Sequence, residues 1–357
     1  MVLSKILLAA KTAVKRTSLG RVLRNKYQRR GLKSREHAIT EIKRYLGENI
    51  EVERLNALAD DMLIEAKEHS VDFYEYLMFK FYEMSSDERR EYIPTLERIG
   101  WCERMNNIKN EAIFDDKSAT YLKFKKYYHR DLIGIFGKKG ELEIFKVFVS
   151  KHPRFIVKPY DGACGRGIKI IDSNGQSIEE LFSKLTDEYR NGFVAEELIL
   201  QCSEMAKFHP ESVNTVRMTT IRYDDRVDII HPFLRTGRGK SVVDNGGSGG
   251  IINAIDADTG KIIGSADEMG IHYINHPDSN IPLVGYQMPC WDEAKALARE
   301  LAYIMPDTRY CGWDLALTDN GWVLQEANDR GEFVGFQLPI KKGFRSELMN
   351  IIKELGV

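Results

Sequence analysis

The stretch "GWDLALTDNGWVLQEAND", residues 312–329, consists of two short extended segments joined by a tight turn, and its candidate metal ligands are Asp314, Glu326 and Asn328. We expect Asp314 to end the first segment, whereas Glu326 and Asn328 lie two residues apart on the second. Because side chains alternate between the faces of a strand, Glu326 and Asn328 share one face. Such a set of hard oxygen ligands suits Mg²⁺ that bridges phosphates. Alternatively, Asp314 and Asn328 are only the polar residues of a turn and a sheet edge.

A second stretch, "FIVKPYDGACGRGIKII" at residues 155–171, is a glycine-rich turn between two extended runs. Lys158 lies near the end of the first run. The segment is either a hairpin with a glycine-tolerant turn or a flexible flap whose backbone N–H groups close over phosphate. It matches neither a P-loop nor a strand-to-helix GxGxxG motif, so those two classes of nucleotide site are excluded here.

The bulk composition predicts a soluble globular protein with two or three lobes. The chain has 357 residues, 43% hydrophobic and 29% charged, which is enough to bury a full core. Its five cysteines are scattered without a CxxC pair, which argues against a disulfide scaffold or a zinc site and favours a reducing compartment. No run of 18 apolar residues and no signal-peptide pattern is present, so we expect a cytoplasmic protein.

The first 35 residues form a basic arm, with eleven Lys or Arg and no Asp or Glu. Leu3, Ile6, Leu7, Ala10 and Val14 recur at helical spacing within it. This pattern is typical of an amphipathic helix on an anionic membrane surface, at the inner face of the membrane. Alternatively, the helix packs on its own protein and its charges are solvated. No nucleic-acid-binding pattern is present, so we expect no nucleic-acid partner.

The rest of the chain predicts an α+β fold. Residues 36–110 show apolar positions at helical spacing, and a capped helix begins near Asp115 or Asp116. From about residue 150, short strands are separated by Gly, Asn and Asp and interrupted by two helices, one of which begins at Ser177. Strands and helices do not alternate regularly, which argues against a doubly wound parallel sheet.

Four elements in fixed order resemble the ATP-grasp superfamily over residues 111–335. They are Lys117 in "DDK", Lys158 with its glycine-rich loop, the acidic hinge "VAEELI", and the set Asp314, Glu326 and Asn328. The segments "HPESVNTVRMTTI" and "LRTGRGKSVVDNGGSGGIINAIDADTG" are similar to the sugar-transfer-associated branch, which is related to α-glutamate ligases and to teichuronopeptide-type biosynthesis proteins.

The resemblance implies an ATP-grasp fold, in which two α+β lobes grip ATP. We expect a basic arm at residues 1–35 and a helical region at 36–110. The small lobe with the flap would span 111–200, and the large lobe with the metal and substrate sites would span 201–357.

The resemblance also implies roles in ATP binding. Lys117 and Lys158 would hold the α- and β-phosphates, and the backbone of Glu197 and Leu198 would meet the adenine edge, with the side chain of Glu196 or Glu197 near the amino group or ribose. One or two Mg²⁺ ions would lie on Asp314, Glu326 and Asn328. The flap residues that would close on the triphosphate are Asp161, Gly162, Gly165, Arg166 and Gly167.

Two arginines are the strongest candidates for the remaining chemistry. Arg217 and Arg235 fall within predicted strands, where a solvated charge is less expected, and a guanidinium suits carboxylate and γ-phosphate. Many amino-acid ligases of the superfamily have an arginine two residues before the metal aspartate, where this chain has Gly312. Weaker candidates for substrate contacts are Asn214, Arg238, Asp244, Asn245, His276 and Arg330.

The implied activity is ATP- and Mg²⁺-dependent carboxylate–amine ligation through an acylphosphate. The partners would be a small-molecule or glycan carboxylate, such as a uronic acid, and an amino acid or amine, in surface polysaccharide or glycoconjugate assembly. Two alternatives are a phosphotransferase on the same fold and a nucleotide-binding scaffold that recruits glycosyltransferases at the membrane.

Overall fold

The computed structural model describes residues 34–160 and 165–357. The chain divides into two compact units, residues 1–85 and 86–357, whereas the sequence placed the end of the helical region at residue 110. None of the helices in the described ranges has the length and the apolar content that a membrane span requires. The predicted membrane-binding arm lies outside the described residues, except for its last two positions.

The described part of the first unit is helical, as the sequence predicted. Ser34 begins the first helix by accepting a hydrogen bond from the backbone N–H of His37. Asp72 and Glu75 form a capping box at the start of the third. The elements are α1 (Arg35–Leu46), α2 (Val52–Glu68), α3 (Phe73–Met78) and a 3₁₀ turn (Phe81–Glu83).

The second unit begins with four helices: α4 (Ser86–Glu91), α5 (Thr95–Met105), α6 (Glu111–Asp115) and α7 (Lys117–Tyr128). The predicted start of α7 is confirmed, because Asp116 caps it by accepting hydrogen bonds from the backbone N–H groups of Ser118 and Ala119. The buried side of α7 contributes Phe124 and Tyr128 to the largest hydrophobic core. This helix therefore fixes Lys117, its first residue, relative to that core.

A four-stranded antiparallel sheet, in the order β1-β4-β2-β3, follows α7. Alternate residues of β2 and β4 pack against the helices Glu141–Lys151 and Ile178–Glu188. These residues are Phe155, Val157, Phe193 and Ala195. Ser177 caps the second of these helices, as predicted. The elements are β1 (Leu132–Ile135), α8 (Glu141–Lys151), β2 (Arg154–Pro159), β3 (Lys169–Asp172), α9 (Ile178–Glu188) and β4 (Phe193–Glu197).

A six-stranded antiparallel sheet, in the order β10-β9-β5-β6-β7-β8, forms the centre of the second unit. Its elements are α10 (Ser203–Ala206), β5 (Thr215–Arg222), β6 (Val227–Thr236), β7 (Ile251–Ile255), β8 (Ile262–Ala266), α11 (Trp291–Ile304), β9 (Tyr310–Thr318), β10 (Gly321–Asn328), α12 (Val334–Ile340) and α13 (Arg345–Leu355). The mixed helices and antiparallel sheets confirm the predicted α+β class.

One face of the six-stranded sheet is apolar, and the other carries buried charges beside a second hydrophobic core. Val216, Leu234 and Leu315 share a core with Ala294 and Ala298 of α11. Because neighbouring side chains along a strand point to opposite faces, the residues next to these three project away from α11. Those neighbours are Arg217, Arg235 and Asp314. The helix that covers one face thus defines the other face as the place for polar chemistry.

Replacement of Asp116 by Ala tests how α7 is held. The change removes the helix cap and also the acceptor for the Tyr160 hydroxyl, which donates to Asp116 Oδ2 at 2.8 Å. We expect the free energy of unfolding to fall by about 1–3 kcal/mol, measured by urea denaturation. Asp116→Asn keeps a good capping group, so its free energy of unfolding should fall by less. Equal unfolding midpoints for Asp116→Ala and the parent would contradict this account of the cap.

Candidate active site

An extra residue in β10 aligns the acidic side chains. Leu324 pairs with Leu315, but the next residue of β9, Asp314, pairs with Glu326, so Gln325 is a β-bulge. Without the bulge, Glu326 would turn to the opposite face of the sheet. The register therefore confirms the common face predicted for the acidic set, although Asp314 lies in the middle of β9 and not at its end.

Arg130 holds this bulge in place. Its guanidinium donates to the carbonyl oxygens of Leu324 at 2.7 Å and of Gln325 at 3.2 Å. It also donates to Glu196 of β4 at 3.2 Å, so one buried side chain joins the two sheets. The sequence analysis missed Arg130, whose one signal is a cation placed just before the first strand.

Lys158 and Glu196 form a buried ion pair with an Nζ–O distance of 3.0 Å. Burial alone would raise the pKa of Glu196, but the charges of Lys158 and Arg130 outweigh it and keep that pKa below its usual range. Glu196 therefore carries a negative charge between two cations. Lys158 is held near the second sheet through this shared partner.

Lys117 reaches the same region from the other direction, with its Nζ 3.3 Å from Glu326 Oε1. Its neighbour Asp116 accepts from Tyr160, which follows β2. Contacts thus run without a break from Lys158 through Glu196 and Arg130 to the bulge, and the bulge adjoins Glu326 and Lys117. One chain of contacts therefore joins the two predicted phosphate-binding lysines to Glu326.

A pair of arginines surrounds Asp314 on the charged face. Arg217 donates to both carboxylate oxygens, at 2.9 Å for its Nη2, and Arg235 Nη2 lies 2.8 Å from Oδ2. Burial would raise the pKa of Asp314, yet Arg217 and Arg235 hold it below its usual value. The predicted arginines therefore converge on one of the predicted metal ligands.

Asp244 lies behind Arg235 in the same buried network. It accepts from the backbone N–H of Thr215 at 3.0 Å and from the Thr215 hydroxyl. The same hydroxyl accepts from Arg235 at 2.8 Å. Burial raises the pKa of Asp244 in spite of the nearby Arg235 charge. Asp244, predicted as a substrate contact, is a supporting residue that fixes the arginine.

Gly312 leaves the space that Arg217 occupies. A Cβ atom at Gly312 would lie 2.7 Å from Cδ of Arg217, closer than real side chains approach. Arg217 extends from the neighbouring strand over this glycine to reach Asp314. A guanidinium from β5 thus occupies the space beside Gly312.

The donor set fits a magnesium ion. Asp314 uses three of its roughly four acceptor positions on the arginines and keeps one on Oδ1. Glu326 is 41% exposed. The buried Asn328 Nδ2 has no hydrogen-bond partner in the described structure, and a half-turn of the amide would exchange it for the oxygen. Three hard oxygen donors on one face are the ligands that Mg²⁺ prefers.

The acidic hinge "VAEELI" divides its two glutamates between opposite faces of β4. Glu196 faces Lys158 and Arg130, whereas Glu197 accepts from the backbone N–H of Asp131 at 3.0 Å, beside His152. The Glu196 side chain is buried between its two cations, whereas the Glu197 side chain is 40% exposed, so the choice between them for a nucleotide contact stays a prediction. The Glu197 N–H is bonded to Asp131, and the Leu198 N–H has no hydrogen bond to the described residues.

The described end of the predicted flap is a turn between the antiparallel strands β2 and β3. Gly165 and Gly167 have φ values of 70° and 72°, a left-handed conformation that favours glycine. The Tyr189 hydroxyl donates to Gly167 O at 2.7 Å, and Arg166 is exposed. Asp161 and Gly162 lie outside the described residues.

A comparison with models of protein families shows which family the chain belongs to. The model of a family described as "Sugar-transfer associated ATP-grasp" matches residues 97–353. The chain belongs to this family. The match confirms the predicted family and fold, and with them the class of ATP-grasp enzymes. A comparison with curated protein sequences found no match.

Several solved ATP-grasp structures are similar to this member of the family. One is the ATP-grasp ligase PsnB complexed with minimal precursor, with 15% identity, 74% of this chain and 68% of that chain covered, and a TM-score of 0.42. Another is D-alanine-D-alanine ligase from Helicobacter pylori, with 14% identity, 70% and 64% coverage, and a TM-score of 0.45. The chain thus spans about two thirds of the length of these proteins.

Two predicted substrate contacts are structural residues. Asn214 is fully buried, donates to Met205 O and His209 O, and accepts from the Gly237 N–H. His276 is also fully buried, with Nε2 3.0 Å from Gly237 O and Nδ1 facing the N–H of Asp278. These predictions were wrong, because neither side chain has a polar atom left to offer a substrate.

The remaining predicted contacts differ from one another. Asn245 accepts from the Gly247 N–H at 2.7 Å and so caps a short turn. Arg330 is paired with Glu111, with Asp115 at 2.9 Å and with Asp329 at 3.3 Å, which turns it away from a substrate role. Arg238 lies between Tyr273 and two aspartates with its side chain 32% exposed, and it stays a candidate.

Replacement of Gly312 by Ala tests the placement of Arg217. The new methyl group would push Arg217 from Asp314 and lower the free energy of unfolding by about 1–3 kcal/mol, measured by urea denaturation. Gly100→Ala is the matched control, because a Cβ there meets nothing within 4 Å and the residue lies in a helix. Equal effects of the two changes would show that Gly312 is not under steric constraint.

The buried His276 predicts a pH dependence of stability. Burial lowers the pKa of His276 below the 6.5 of an exposed histidine. As the pH falls, the histidine therefore binds a proton in the unfolded chain before it does so in the folded protein. The contribution of His276 to the free energy of unfolding is complete above pH 6.5 and is lost as the pH falls below that value. Urea denaturation from pH 7.5 to 5 should show a smaller pH dependence for His276→Gln than for the parent. Parallel profiles would exclude this linkage.

Proposed function

We propose that this ATP-grasp protein is an ATP- and Mg²⁺-dependent carboxylate–amine ligase that forms an amide through an acylphosphate. The observation that carries the proposal is the continuous contact path described above. It links Lys117 and Lys158 to the row formed by Arg217, Asp314 and Glu326 across three strands. This arrangement supports a single site in which cations would bind a triphosphate, oxygen ligands would bind a metal and guanidinium groups would bind a carboxylate.

The first step needs positioning and charge neutralisation more than a covalent nucleophile. Lys117 and Lys158 would hold the phosphates, with the flap from Asp161 to Gly167 closing on them. When bound, Mg²⁺ on Asp314, Glu326 and Asn328 would neutralise charge on the phosphates. A substrate carboxylate oxygen would attack the γ-phosphorus, and ADP would leave with the electron pair of the broken P–O bond.

The second step forms the amide. The amine nitrogen would attack the carbonyl carbon of the acylphosphate, and inorganic phosphate would leave. Arg217 and Arg235 lie on the charged face and would stabilise the negative charge on the carbonyl oxygen. Their shared partner Asp314 keeps both guanidinium groups fixed before substrate arrives, so little reorganisation is needed.

The substrates proposed are a sugar carboxylate, such as a uronic acid, and an amino acid or amine, in surface polysaccharide or glycoconjugate assembly. The sugar part is supported by the description of the family alone. We further propose that the protein works in the cytoplasm, where the basic arm at residues 1–35 would contact the inner face of the membrane.

The test is ADP release with ATP, Mg²⁺ and a panel of uronic acids and amino acids, with mass detection of the amide. Glu326→Ala should lower ADP release by at least about 100-fold, because it removes a metal ligand and the partner of Lys117. Glu143→Ala is the matched control, since that glutamate is 75% exposed and lies on α8.

Each other outcome identifies a different function. Nucleotide binding without turnover across the whole panel would support the scaffold hypothesis. ADP release with a phosphorylated product and no amide would support a phosphotransferase. An unchanged rate of ADP release for Glu326→Ala would contradict the role proposed for Glu326.

A further inference from the structure

The loop after β10 is held rigidly from behind. Arg98 of α5 donates to the carbonyl oxygens of Arg330 and Gly331, at 2.9 Å for Gly331. The Tyr310 hydroxyl also donates to Gly331 O at 2.9 Å. Asn106 donates to Asp329 O at 2.7 Å. These contacts fix the backbone of residues 329–331 before any ligand binds.

The same loop lies against the arginine pair. A Cβ atom at Gly331 would be 3.4 Å from Arg217 Nη1 and 3.2 Å from the Tyr310 hydroxyl oxygen. Arg330, the neighbouring cation, is turned away by Glu111 and Asp115. The next residue, Glu332, therefore follows directly after a backbone segment that touches Arg217.

Glu332 is half-buried and makes no hydrogen bond or ion pair within the described ranges. Its negative charge nevertheless affects the pKa values of Arg217 and Arg235. Burial lowers the pKa of Arg217, but Asp314 and then Glu332 raise it above its usual value, and Glu332 also contributes to raising that of Arg235. A carboxylate without a partner, on a rigid loop and beside the groups that would hold the acyl phosphate, is available to a ligand.

We propose that Glu332 binds the ammonium group of the acceptor amine and takes up its proton when the nitrogen attacks. This inference rests on the proposed ligase function and specifies its acceptor as a cationic amine. One ammonium proton passes to the Glu332 carboxylate and frees the nitrogen lone pair, which forms the C–N bond. The second proton passes from nitrogen to the phosphate, which leaves as its C–O bond to the acyl carbon breaks. Asp314 cannot take this role, because two arginines hold its charge.

The test uses three proteins, the parent, Glu332→Gln and Glu332→Asp. Each protein is assayed with two acceptors. One acceptor is the amino acid that gives the fastest ADP release with the parent. The other is hydroxylamine, which is largely uncharged at neutral pH and traps an acylphosphate as a coloured hydroxamate. Glu332→Gln should lower kcat/KM for the amino acid by about 100-fold, while hydroxamate formation changes by less than about threefold. Glu332→Asp should recover part of the loss.

Equal losses with both acceptors, or no loss with either, would overturn the role of Glu332. Glu143→Gln, on the exposed side of α8, is the control and should match the parent. The parent must first form hydroxamate with a carboxylate of the panel. If it forms neither hydroxamate nor ADP, the ligase function itself fails, and the proposed role of Glu332 is overturned with it. Thermal unfolding of each variant shows whether a loss comes from misfolding.

Discussion

The bond from Arg130 to the bulge at Gln325 is the constraint on which the rest of the site depends. The bulge decides which face of β10 Glu326 and Asn328 occupy, and the guanidinium satisfies two carbonyl oxygens of the distorted strand. The same group pairs with Glu196 and so positions Lys158. A single buried side chain therefore sets both the face that carries Glu326 and Asn328 and the position of Lys158.

The charged face is built as a balanced network. Arg217 and Arg235 share Asp314, and Asp244 supports Arg235 through Thr215. Buried charges are costly unless each has a close partner of opposite sign. The pairing keeps the guanidinium groups ionised and oriented in a region that excludes water. Such an arrangement suits catalysis by electrostatic stabilisation, because the groups are already oriented when negative charge develops on a substrate.

The sequence predicted the α+β class, but not the packing around the candidate site. The caps at Asp116 and Ser177 and the common face of Glu326 and Asn328 follow from local periodicity and capping chemistry, whereas the end of the strand that holds Asp314 did not. The bulge, Arg130 and the loop bearing Glu332 depend on contacts between residues far apart in the chain. His276 and Asn214 were misjudged because a polar residue in a loop gives no sign of whether the fold will bury it.

The close approach of Arg217 to Gly312 has a consequence for substitutions at these two positions. A side chain at position 312 and the side chain of Arg217 compete for one volume, since a Cβ at position 312 would lie 2.7 Å from Arg217 Cδ. Change at the two positions must then be correlated, with a long cation at one requiring the smallest residue at the other. Replacement of Arg217 by a small residue would open this volume to a longer side chain at position 312.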